Sequence, residues 1–133
     1  MVNLPNPMPW MRGRLDRTGM LLSSLCLIHC LGGLFLVAVF GLGGGLLFAP
    51  WIHRAGFALA MVIAGVAIGL GALKHRRPAP FVVAMMGLTF MGGGLAVEHG
   101  AEEAVLTIIG VSLVTAGHVL NLRYGADRKG LAP

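Results

Sequence analysis

The stretch TGMLLSSLCLIHCLGGLFLVAVF, residues 18–40, decides the fold. No charged side chain occurs between Arg17 and Arg54, and about 20 apolar residues cross the hydrocarbon of a bilayer as a helix. The stretch is apolar all round instead of along one stripe, so it does not read as the surface helix of a water-soluble domain. Arg12, Arg14 and Arg17 ahead of it imitate a secretory signal, but the apolar run continues to about Phe48. That is too long for the core of a signal peptide, so the segment is expected to stay uncleaved.

Three further apolar stretches follow, at about residues 55–73, 81–97 and 104–122, each long enough to span. The expected fold is therefore all-α, a polytopic membrane protein with a four-transmembrane-helix bundle between a cytoplasmic segment 1–17 and a cytoplasmic tail 123–133. Pro5, Pro7 and Pro9 with Trp10 suggest an extended or interfacial lead-in, and the glycines between Gly41 and Pro50 suggest a loop. Composition agrees with a membrane class: of 133 residues only 11% are charged, 56% are hydrophobic, and the mean hydropathy is +0.84.

The charge is patterned. Three basic residues precede helix one, three follow helix two (Lys74, Arg76, Arg77) and three follow helix four (Arg123, Arg128, Lys129), whereas Arg54 stands alone on the other side. The positive-inside rule then places both termini in the cytoplasm. A net charge of +5 and a pI near 10.3 could suggest nucleic acid, but these residues form short clusters between apolar segments and do not line one face of a module. No nucleic-acid partner is expected. Glycine pairs Gly41/Gly45 and Gly65/Gly69 and the run Gly92-Gly93-Gly94 read as close-packing faces within the bundle, with a homodimer through the same faces as the alternative.

The sharpest chemical feature is Cys26-Leu-Ile-His29-Cys30. On a helix the two thiols stand at i and i+4 on one face with His29 on its flank, which gathers three soft or borderline ligands near mid-membrane. Asp16, Gly19, Ser23, Cys26, Cys30 and Gly33 continue the same stripe and are expected to face the bundle. Cysteine also packs as a small hydrophobe, and a single one here would be read that way; two with a histidine favour ligation. Helix four offers Ser112, Thr115, His118 and Asn121, and His118 is placed near the level of Cys26 if helices one and four adjoin. On the opposite side from the basic clusters stand His53, Glu98, His99, Glu102 and Glu103. Glu98 and Glu102 would share a face if helix persists through Gly100, and with His53 they could collect a divalent cation. His75, among Lys74, Arg76 and Arg77, reads as an interfacial histidine or an inner acceptor for the ion.

Asp16-Arg-Thr-Gly19, Cys26-Leu-Ile-His29-Cys30, His53, Glu98, Glu102, Leu106-Thr107 with Gly110, and His118 with Asn121 together resemble the MerC family of inner-membrane mercury-resistance proteins, in order and over nearly all of the chain. The resemblance implies four helices and uptake of mercuric ion across the inner membrane of a bacterial cell, with the helix-one cysteines handling the metal. Mercury-operon members carry a further cysteine pair toward the C-terminus; this chain has none after Cys30, and Gly32-Gly33 replaces the proline that often follows the motif. The additional histidines suit a borderline ion, so zinc transport is the alternative. The expected metal ligands are Cys26, His29, Cys30, His118, Asp16, His53, Glu98 and Glu102. The transported divalent metal is the substrate, with no permanently bound cofactor and no catalysis expected. Two other classes compete: a haem or redox protein with His29 and His118 as axial ligands, and a non-transporting assembly subunit.

Overall fold

In the computed structural model, which describes residues 8–41 and 49–130, the chain forms four helices in antiparallel order. They are α1 (Met8–Phe40), α2 (Pro50–His75), α3 (Ala79–Ala96) and α4 (Ala101–Gly130). All four are long and apolar enough to cross a membrane. Their exposed surfaces are what a bilayer accommodates: Leu21, Leu25, Ile28, Phe35, Val62, Leu73, Val82 and Val105 all point outward.

The helices run longer than hydropathy alone marked them. α1 begins ten residues ahead of Thr18, taking in Pro9, because a proline in the first turn lacks only an N–H that has no helical partner there. Pro5 and Pro7, and the side chain of Trp10, lie outside the described residues, as do positions 42–48 of the expected glycine-rich loop. α2 ends where Arg76 takes a left-handed conformation (φ 54°) and donates its N–H to the Ala72 carbonyl at 2.9 Å. Pro78 and Pro80 follow at once and start α3. α3 stops at Ala96, and Val97–Gly100 is a turn. Helix therefore does not persist through Gly100, and Glu98 and Glu102 do not share a helical face.

The packing order is set by small residues. α3 and α4 make the most extensive contact, α1 lies against α4 and α2, and α2 reaches both α3 and α4. At the α3–α4 seam a methyl group on Gly87 would meet the Gly110 carbonyl and Val114, and one on Gly110 would meet Met91 and the Gly87 carbonyl. Gly117 against Ala84 and Gly94 against Thr107 extend this seam. Helix backbones approach this closely only where side chains are absent. Gly65, Gly69 and Gly41, which the sequence also offered for packing, meet nothing within 4 Å. Ala60, Ala64, Ile68, Ala84, Leu88, Met91, Val111 and Val114 form the apolar core between α2, α3 and α4.

Candidate metal centre

Along α1 the stripe faces inward as its spacing predicts: Asp16, Gly19, Ser23, Cys30 and Gly33 are buried and Cys26 is partly so. Both cysteines are free thiols. A cavity of about 220 Å³ opens beside them, lined on α1 by Leu22, Cys26, His29 and Cys30 and on α2 by His53, Gly56 and Phe57. Met91 and Leu95 of α3 and Thr107 of α4 close it. Gly56 faces one thiol, and a methyl group there would stand in ordinary contact, 3.9 Å from Cys26 Sγ. The His29 and His53 rings meet edge to face, centroids 5.7 Å apart, and among the described residues His29 Nε2 is buried without a hydrogen-bond partner. The cavity is apolar except for sulfur, imidazole and the threonine hydroxyl.

Among the described residues no three His, Cys, Asp or Glu side chains are already converged on one point where an ion would sit. The thiols and imidazoles line a space instead of forming a closed cage. The i, i+4 spacing puts the cysteine Cβ atoms about 5–6 Å apart, which leaves room for an ion between the two sulfurs.

Asp16 and His118 stand elsewhere. His118 Nδ1 donates to Asp16 Oδ1 at 2.6 Å, with both side chains almost wholly buried. Ten residues separate Asp16 from Cys26, about 15 Å along the helix, so the structure pairs His118 with Asp16 and does not bring it to the thiols. The reason is Gly19: the His118 ring rests where a side chain at Gly19 would be. Asn121, one turn further along α4, donates through Nδ2 to Asp16 Oδ2 at 2.8 Å and to the Ala67 carbonyl at 3.2 Å. Its Oδ1 lies 3.0 Å from His75 Nε2. The Arg77 N–H donates to His75 Nδ1 at 3.2 Å, which leaves Nε2 of that ring as the donor to Asn121. Gly71 makes room for Asn121 as Gly19 does for His118. One continuous network thus ties α1, α2 and α4 at the end carrying the basic clusters. His75, read from sequence as an interfacial histidine, is part of it. His29 and His118 lie in opposite halves of the bundle, so they cannot flank one iron.

At the other end, Glu98 and Glu102 are exposed. The carboxylate that turns inward is Glu103, 5% exposed, from the first turn of α4. Its Oε2 accepts from His99 Nδ1 at 2.6 Å, and its Oε1 lies 3.6 Å from His53 Nδ1. Glu103 was visible in the sequence only as one of three acidic residues, Glu98, Glu102 and Glu103, between α3 and the body of α4. Its one distinguishing signal is helical phase: Glu103, Thr107, Gly110, Val114 and His118 recur at three- and four-residue steps, the buried face of α4.

No curated protein and no solved structure matches this chain. The family described as MerC mercury resistance protein matches residues 16–123, which begins at Asp16, ends just past the network residue Asn121 and takes in the whole thiol cavity. The chain belongs to the MerC family.

Proposed function

We propose that this multi-pass membrane protein transports a soft divalent metal ion, Hg²⁺ above all, inward across the inner membrane of a bacterial cell. The observation that carries the reading is the single cavity into which Cys26 and Cys30 open together with His29 and His53. Two thiolates on one helical face suit a soft ion of low coordination number, and family membership supports the same ion. The exposed Glu98 and Glu102 draw cations to the acidic end, and Cys30 takes the ion before Cys26, about 6 Å deeper. The Asp16–His118–Asn121 network lies between the cavity and the basic end, so release on that side requires it to part. The distribution of nine basic residues against one supports a cytoplasmic location for the basic end.

A second reading, Zn²⁺ transport, is favoured by the two imidazoles on the same cavity wall, which could bring the thiols to four-coordination.

The test is Hg²⁺ and Zn²⁺ binding to detergent-purified protein, with uptake in cells, for Cys26→Ser and Cys30→Ser. Serine keeps the size and loses the soft donor. Each variant should insert normally and lose roughly a hundredfold in Hg²⁺ affinity, the upper end of the loss from disturbing even the groups that support a metal's ligands. Parent-like affinity and uptake in both would return the cysteines to packing. His29→Ala separates the ions: Zn²⁺ binding should fall further than Hg²⁺ binding if the imidazole completes a zinc site.

A further inference from the structure

Beside the thiol cavity, the acidic end holds two buried polar atoms that face each other beyond hydrogen-bond distance. Glu103 Oε1 and His53 Nδ1 are 3.6 Å apart, with side chains 7% and 15% exposed. Neither atom has a hydrogen-bond partner among the described residues. A hydrogen bond between nitrogen and oxygen needs about 2.7–3.2 Å, and buried polar atoms are almost always satisfied. His53 stands in the first turn of α2 and Glu103 in the first turn of α4, so the two atoms are brought together from separate helices.

That gap has the dimension of a bridged ion. Nitrogen and carboxylate ligands lie about 2.0–2.2 Å from zinc, and at angles between tetrahedral and trigonal their donor atoms stand roughly 3.3–3.6 Å apart. A third donor is at hand: His99 already touches the same carboxylate at 2.6 Å. Its side chain is half exposed, in the turn before α4.

We propose that His53, Glu103 and His99 form a second metal site, specific for a borderline divalent cation such as Zn²⁺, at the acidic end of the bundle. Two imidazoles and a carboxylate are a borderline donor set, distinct in softness from the two thiols. The site joins α2, α4 and the α3–α4 turn. Through the His53–His29 ring contact it adjoins the thiol cavity. Only its role in passing an ion to the thiols rests on the transport reading; the binding does not.

The experiment uses the full-length Cys26→Ser/Cys30→Ser protein in detergent, titrated with Co²⁺ as a coloured probe and then with Zn²⁺ in competition. One Co²⁺ per chain should bind, with ligand-field absorption and no sulfur charge-transfer band, and Zn²⁺ should displace it. Adding Glu103→Gln or His53→Ala should weaken binding at least about tenfold, the lower bound for disturbing a metal's ligand shell. Adding His99→Ala, at a half-exposed side chain outside the packed core, should weaken it roughly tenfold and decides the matter if a buried variant fails to fold. Absence of Co²⁺ and Zn²⁺ binding in the double-serine protein, or parent-like binding after His99→Ala and Glu103→Gln, overturns the site. The two readings fail separately. A parent that binds Hg²⁺ while the double-serine protein binds no Co²⁺ sinks only this inference. Undiminished Hg²⁺ binding and uptake without either thiol sinks only the transport reading.

Discussion

Two buried polar clusters sit at opposite ends of one bundle, and they differ in how their donors and acceptors are used. At the basic end Asp16 accepts from His118 and Asn121, Asn121 also engages Ala67 and His75, and His75 is held by the Arg77 N–H. At the acidic end His29 Nε2, His53 Nδ1 and Glu103 Oε1 are buried without a hydrogen-bond partner among the described residues. Both clusters are enclosed by the same kind of apolar helix. A polar group inside a membrane protein is costly unless it is paired, so a satisfied network serves to fix helices while an unsatisfied one marks a place made for something else. Asp16 and His118 would pass for a metal site by residue type alone, and the geometry pairs them with each other and with Asn121.

That division can be broken by experiment, and the largest effect is expected at the scaffold. His118→Ala leaves the Asp16 carboxyl without its 2.6 Å partner and should lower unfolding stability by about 2–3 kcal/mol, the upper range for an orphaned buried acceptor. Hg²⁺ affinity of the folded fraction should stay within about twofold, because His118 stands about 10 Å or more along α1 from the thiols. A large fall in affinity with unchanged stability would make His118 a ligand and dissolve the contrast. Gly19→Ala sharpens the same point: it forces the His118 ring aside and should cost about 2 kcal/mol, typical of overpacking. Combined with His118→Ala the cost should be well short of additive, since the ring it collides with is gone. Full additivity would place the strain elsewhere.

Asn121→Ala removes the link between Asp16, Ala67 and His75 and should cost about 1–2 kcal/mol, because polar pairs between membrane helices are individually modest. Detergent unfolding followed by helicity measures each of these. Glu103→Gln closes the series with the smallest stability effect, within about 0.5 kcal/mol, since the amide keeps an acceptor for His99 and the oxygen on the His53 side has no hydrogen bond to lose. A stability loss as great as that of His118→Ala would show the acidic cluster to be scaffold too.

Four helices were legible because each apolar stretch is long enough to span whatever its neighbours do, and the inward stripe of α1 was legible because it follows the 3.6-residue period alone. The cysteine motif needs only its own helix to place its two thiols on one face. Helix adjacency is different, since no property of α1 taken alone says that α4 and α2 flank it. Spacing could put His118 near the level of Cys26, but the vacant volume at Gly19, seen only when α1 meets α4, seats it two turns lower beside Asp16. Glu98 and Glu102 drew attention as a pair four residues apart. Val97–Gly100 breaks the helix between them, and the rotation of α4 against α2 selects their neighbour Glu103 for the interior. Membrane spanning and the thiol pair are thus local consequences of hydropathy and helical period, which one chain segment carries by itself. Which polar groups find partners, and which are left facing one another 3.6 Å apart, depends on how helices distant in sequence close on small residues, and only the assembled bundle decides it.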